Sequence, residues 1–309
     1  MPNSSIFQSN GSQITSSKTV DNIKLGLTLL IIACFGFFLY FVALILSAFF
    51  TTFHIRENAR YIFFIHMLIN DTSYLVLGIK LLIMSIYHVP MPGPICYVLF
   101  TVCAAAFRTT SYNLATMAIE RYVAICRPLH HGRLCSAQRA HWAIAFMWFL
   151  CFIHFVVDLS FILSSSIRLY SLNVLCSQVT TIVNPIQNIT RSISHFIGFI
   201  SVGLIIFYTY IKIVLVARKV SSQLPSASQA GRTVMLHAFQ LLLCMTDLLA
   251  NLPVSYQDNQ FLPLVNFLLY SCVPRFLSPL IYGLRDEILR SYIKQTVKRH
   301  FIWKVLYQR

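Results

Sequence analysis

Charge is what this chain has least of. Only 11% of its 309 residues are Asp, Glu, Lys or Arg, against about 25% in soluble globular domains, so there is too little polar surface to wrap a water-soluble fold. With 57% hydrophobic residues the chain reads as a membrane protein. Ten-residue stretches of strand-like alternation are missing, which argues against a transmembrane barrel. Nine Cys form no CxxC pair and no Cys/His spacing that suits zinc; most lie in apolar segments as packing residues. No metal and no cofactor is implied. Acidic residues are also scarce, nine against 24 Lys and Arg, giving a net charge of +15. The basic residues form no compact domain, so nucleic acid is not the expected partner; they fall in short clusters between apolar runs, where they orient the chain towards anionic lipid. No basic segment with a cleavage site precedes the first apolar run, so that run is expected to serve as an uncleaved signal.

A helix needs about 20 apolar residues to cross about 30 Å of hydrocarbon, and the runs give seven crossings. They fall near residues 25–50, 61–87, 96–126, 142–163, 192–216, 232–253 and 262–284. About 17 of the 24 Lys and Arg then lie on one face, the inner one. Residues 1–24 form an extracellular tail, expected to be disordered, with sequons at Asn3 and Asn10; a third sequon, Asn188-Ile189-Thr190, lies in an outer loop that also holds Arg168 and Arg191. The segment 88–94, with three prolines, reads as a turn, and 127–139 as a basic inner loop. Residues 285–309 carry Ile288, Leu289, Tyr292, Ile293 and Val297 against Arg290, Lys294, Lys298 and Arg299, the pattern of a short amphipathic helix on the inner leaflet. The expected fold is thus an all-α, seven-transmembrane helix bundle over 25–284, closed by that eighth helix. It belongs in the plasma membrane, multi-pass, with its N-terminus extracellular.

Four features inside this frame carry chemistry. Cys96 opens crossing three and Cys176 sits in an outer loop, both in an oxidising compartment, which predicts a Cys96–Cys176 disulfide rather than two free thiols. Asp71 is a carboxylate in mid-membrane and must face the bundle interior with partners. Arg108 is a guanidinium deep in crossing three. Finally, Glu120-Arg121-Tyr122 puts an acid–base pair at the inner end of the same crossing. Such a pair either fixes a helix end or acts as a contact that neighbours can break.

Together these features resemble a class A G-protein-coupled receptor: Asp71, the outer cysteines, Glu120-Arg121-Tyr122, and Pro279-Leu280-Ile281-Tyr282 ending crossing seven. The stretch from Met117 to Leu129, MAIERYVAICRPL, is similar to the hallmark of odorant receptors. Met67-Leu68-Ile69-Asn70-Asp71-Thr72 and the run from Pro274 to Glu287 resemble the teleost-type odorant branch. The resemblance implies a two-state bundle that binds a small odorant and activates a heterotrimeric stimulatory G protein, raising cAMP. In it Arg121 leaves Glu120 on activation to face Tyr208 and Tyr282, and Ser278 joins Asp71 in a polar network. An odorant pocket is implied between crossings three, five and six, with candidates Ala104, Ala105, Phe107 and Arg108, then Phe199 and Gly203, then Leu248, Leu252 and Ser255. Membrane lipid is a further partner, and a homo-oligomer is compatible with the pattern.

The chain departs from the family in places. Val42, Ala43 and Leu44 stand where crossing one usually supplies an Asn near Asp71, and Ser278 replaces an Asn before Pro279. Two readings of Arg108 stay open: an internal pair with Asp158 or Asp247, or a contact for an anionic odorant. A transporter would show inverted repeats and broken helices, and an enzyme a convergent catalytic set; neither is evident. A receptor for a non-odorant small molecule, an amine or a peptide is the nearest rival, although an amine receptor would usually carry an Asp where this chain has Val102, Cys103 and Ala104.

Overall fold

A computed structural model describes residues 4–164, 173–177, 179–220, 239, 262–276 and 290–291. Its elements run α1 Ser4–Thr51, α2 Phe53–Arg56, α3 Ala59–Ile86, β1 Pro90–Pro92, α4 Gly93–Cys126, α5 Pro128–Leu134, α6 Ala137–Ser164, β2 Asn173–Leu175, α7 Pro185–Val220 and α8 Leu262–Asn266. The last continues as a π-helical turn over Phe267–Cys272. Five stretches among the described residues are long and apolar enough to cross a membrane: Asp21–Thr51, Ala59–Ile86, Gly93–Cys126, Ala137–Ser164 and Pro185–Val216. Residues 277–284 of the seventh crossing, the sixth crossing apart from residue 239 and the amphipathic 285–309 segment apart from 290–291 lie outside the described residues.

Local chemistry sets the helix ends. Asn58 caps α3, its side chain accepting from the Arg60 amide at 3.0 Å, which satisfies one of the donors left free in a first turn. Pro94 falls in the first turn of α4 and Pro128 in that of α5, where a missing N–H costs nothing. The basic loop expected at 127–139 therefore contains a short helix. An isolated bridge between Asn58 and Ser136 ties the two connections at this end of the bundle.

Two further expectations are corrected. Residues 4–24 are not a disordered tail but continue the helix of the first crossing. No proline follows Pro2 before Thr51, and a nucleated helix gains one backbone hydrogen bond per residue added. Asn10 lies in that helix, while Asn3 is outside the described residues. At the opposite connection, the segment expected as a turn holds β1, which pairs antiparallel with β2 in the register Pro90 with Leu175, Met91 with Val174 and Pro92 with Asn173. Pro90 and Pro92 have no N–H, so Met91 is the only residue of β1 that can donate, and the ribbon stays two strands wide. Beside it Cys96 and Cys176 form the disulfide, with Cα atoms 5.5 Å apart.

α4 is the central element, packed along α3, α6 and α7. Its inward residues include Leu114, Ala115 and Ala118, which mesh with Phe64, Met67 and Leu68 of α3 and Ile206 of α7 in one buried cluster. α6 is peripheral: only Ala140, Met147, Cys151 and Ile162 are buried, a single narrow stripe at helical spacing. Its other large side chains, Trp142, Phe146, Phe149 and Phe152 among them, are exposed, as befits a helix whose outer face meets hydrocarbon rather than water.

Candidate functional site

Three polar clusters lie one below another along the bundle. The first is at the disulfide end, where α4, α6 and α7 diverge around a cavity of about 420 Å³. α7 begins earlier than the sequence pattern suggests, at Pro185 instead of residue 192. The Asn184 side chain accepts from the Ile186 amide at 3.0 Å and Pro185 takes the first helical position, a cap and starter in the usual order. Gln187, Arg191 and His195 then recur every fourth residue, so they share one face. All three line the cavity, as does Asn188, half-buried on the first turn.

The carboxylate of Asp158 on α6 is gripped by this face. Arg191 donates from Nη2 to Oδ2 at 2.5 Å and from Nε to Oδ1 at 2.6 Å. Gln187 adds a bond to Oδ1 at 3.0 Å, and Thr181 receives Arg191 Nη1 at 3.1 Å. Asp158 therefore does not pair with Arg108, one of the two partners expected from the sequence. Arg108 Nη2 lies 3.0 Å from His195 Nε2 instead. Asp247, the other partner expected, is outside the described residues.

Of the expected pocket residues, Ala104, Ala105, Phe107 and Arg108 line this cavity. Phe199 and Gly203 do not. Phe199 is buried one turn further along α7, its ring 5.7 Å from that of Phe107, so the two rings close the floor above the level of Gly203. Leu248, Leu252 and Ser255 lie outside the described residues. The sequence reading missed Gly78, Tyr74 and Phe267, which complete the wall. Gly78 is there because it must be small: a Cβ on it would meet Phe267 Cε2 at 2.8 Å.

The second cluster lies directly under the floor. Asp71 is fully buried and accepts from Thr110 Oγ1 at 2.7 Å. Asn70 steadies the same hydroxyl, donating to Thr110 Oγ1 at 2.8 Å and to the Ala106 carbonyl at 2.6 Å. The counter-charge is Arg275, also without exposure, whose Nε stands 3.8 Å from Asp71 Oδ1. Its guanidinium carbon sits 3.6 Å above the Tyr74 ring and 5.6 Å from that of Phe107, and Nη1 donates to the Ser271 carbonyl at 2.6 Å. Arg275 therefore gives Asp71 a charged partner from the last crossing. Ser278 lies outside the described residues. Nothing about residue 275 alone signals this contact; a buried cation on the last crossing and a buried anion on the second are the only hint in the sequence.

The third cluster is at the opposite end. Glu120 is buried, with Oε2 3.4 Å from Arg121 Nε. His131 on α5 donates from Nε2 to Oε1 at 3.2 Å, so the acid is held from two sides, one of them a residue the sequence reading did not single out. The Tyr122 ring lies 6.1 Å from that of Tyr208, tilted by 54°, and Lys212 Nζ lies 5.6 Å from the Tyr208 ring centroid. Tyr282 is outside the described residues. No group of three or more His, Cys, Asp or Glu among the described residues is arranged to hold a metal ion.

This stacking of a cavity, a buried ion pair and an end-of-helix acid–base contact has relatives. Residues 42–282 match the family described as 7 transmembrane receptor (rhodopsin family). The chain is 29% identical to Odorant receptor 131-2 of Danio rerio over 289 residues, covering 90% of this chain and 86% of that protein. It is 27% identical to Olfactory receptor 5AK2 of Homo sapiens, covering 67% of this chain and 69% of that one, and 24% identical to Olfactory receptor 6B1 of Homo sapiens, covering 77% and 79%. With the family match running through most of its length, the chain belongs to the rhodopsin family of seven-transmembrane receptors, and is a multi-pass membrane receptor rather than an enzyme.

Proposed function

We propose that this receptor detects a small-molecule odorant, which it binds in the cavity between α4, α6 and α7, and that it passes the signal to a stimulatory, olfactory-type heterotrimeric G protein at the Glu120 end, raising cAMP. The observation that carries the reading is the cavity, about 420 Å³, within the roughly 300–1,000 Å³ range of small-ligand sites and, like them, mostly apolar with a few convergent polar groups. The likeness to receptors named for odorants supports the ligand class. In this reading the disulfide end is extracellular and the Glu120 end cytoplasmic.

The mechanism is a population shift. Odorant stabilises an active arrangement only to the extent that it binds that state more tightly. The floor residues Tyr74 and Phe107 line the cavity and also flank Arg275, so a ligand resting on them bears on the rings that hold the buried ion pair. At the inner end, release of Arg121 from Glu120 frees the guanidinium to meet Tyr208 and Tyr282 as the cleft opens to the G protein.

His131 gives this inner contact a second clasp on the same carboxylate. His131→Ala is expected to raise ligand-independent cAMP severalfold at equal surface density, because one of two contacts holding Glu120 is gone; basal cAMP at or below the native level would remove His131 from the lock. The function itself is tested by a cAMP reporter screen of the surface-expressed receptor against volatile and water-soluble odorants. Dose-dependent cAMP from at least one odorant, absent from cells lacking the receptor, is the expected result. Silence in cAMP with robust activation of another G-protein class by the same compounds would overturn the coupling.

A further inference from the structure

We infer that the cavity is an anion site, and that the ligand it takes is a small organic carboxylate held by Arg108 and His195. The inference rests on the reading of this cavity as the ligand site and adds the ligand's charge. Three observations lead to it.

The first is the proton count at the Arg108–His195 contact. A guanidinium carries five N–H donors and no acceptor, so His195 Nε2, 3.0 Å from Arg108 Nη2, must accept. The imidazole is therefore the neutral tautomer with its proton on Nδ1. That Nδ1–H is buried and has no partner among the described residues, and the same is true of Arg108 Nε–H. Two buried donors without acceptors, on two residues that line one cavity, are rare in a finished interior.

The second is the charge balance of the cavity wall. Among the described lining residues the cations are Arg108 and Arg191 and the single acid is Asp158, so Arg108 has no carboxylate of its own among them. Asp158 is not free to move across, since both its oxygens are bonded to Arg191 and one also to Gln187. A buried guanidinium without a carboxylate is costly to keep, and one monoanion would close the account.

The third is shape. A carboxylate offers two oxygens to donors in a forked arrangement, the geometry that favours arginine as its partner. The same cavity is also lined by Ala104, Phe107, Phe155 and Phe267, suited to a hydrocarbon tail. An ammonium ligand would face Arg108 with like charge, and a neutral ester would bring Arg108 no counter-charge.

The probe series is the straight-chain acids from butanoate to decanoate with their methyl esters and alcohols. Each is tested twice on the full-length receptor, by thermal unfolding of the purified protein in lipid nanodiscs and by cellular cAMP. At least one acid is expected to raise Tm, and to do so at a concentration about tenfold to a hundredfold below that of its ester, the span of a hydrogen bond to a charged group. Arg108→Gln is expected to remove the preference for acid, and Arg108→Lys, which keeps the charge, to retain part of it. Equal potency of acid and ester on the native receptor would overturn the inference without any variant. So would the absence of a Tm shift from every acid, or an Arg108→Gln receptor at native surface density that keeps its acid response. A Tm shift with no cAMP would leave the anion site standing and count against the coupling. Responses to esters and alcohols alone would do the reverse.

Discussion

Replacing Arg275 with alanine is expected to strip the receptor from the cell surface. Asp71 and Arg275 are both wholly buried and stand 3.8 Å apart, and removing one member of a buried pair costs about 3–5 kcal/mol because the other charge stays behind in a poor solvent. Marginally stable proteins lose abundance severalfold for less than half of that. Thr110 and its partner Asn70 cannot compensate: Thr110 donates only one hydrogen bond to Asp71, and Asn70 is spent on Ala106 and Thr110. The loss should be reversible by design. In Asp71→Asn/Arg275→Met both charges are gone and the long apolar side chain fills the space over Tyr74, so surface density should recover well above that of Arg275→Ala. Surface labelling by flow cytometry reads both variants. Native density for Arg275→Ala, or a double variant no better than the single one, would mean that the pair contributes little to stability.

The second large effect is at the other end. Arg121→Ala should leave surface density within about twofold of native, because the buried Glu120 carboxylate keeps its second partner, His131. Odorant-driven cAMP should nevertheless fall to the level of cells without receptor. The asymmetry follows from the proposed role: Arg121 is dispensable to the resting fold, where His131 still holds Glu120, but it is the group that the active state turns towards the G protein. Native-sized cAMP responses from Arg121→Ala at matched density would reduce Glu120–Arg121 to a static helix-end contact.

The crossings are legible in the sequence because a run of about 20 apolar residues has few alternatives, and charge asymmetry orders the connections between them. Helix ends are less legible where a polar residue faces inward. Gln187, Asn188 and Arg191 read as loop residues by composition, yet they lie on α7 because their polar groups meet Asp158 and the cavity rather than water. Arg139 and His141 likewise mask the first turn of α6, which starts at Ala137. The site divides in the same way. A carboxylate in mid-membrane announces that Asp71 needs company, but which of the cations on other helices supplies it depends on how α3 and the last crossing are rotated, and no local pattern encodes that. Arg108 illustrates the limit most sharply. Its burial is readable from its position in an apolar run, whereas the reassignment of Asp158 to Arg191 is a competition between two arginines that only packing decides.

The central proposition is that a small molecule in the cavity between α4, α6 and α7 drives the cAMP signal. Ala104 lies on the cavity wall and has only a methyl group to offer, so Ala104→Trp fills the space while leaving Arg108, Asp71 and Glu120 in place. The most direct measurement is the cAMP dose–response of this variant, at matched surface density, to the compound most potent on the native receptor. Loss of the response, with ligand-independent cAMP retained, is the expected result; an unchanged EC50 and maximum would contradict it.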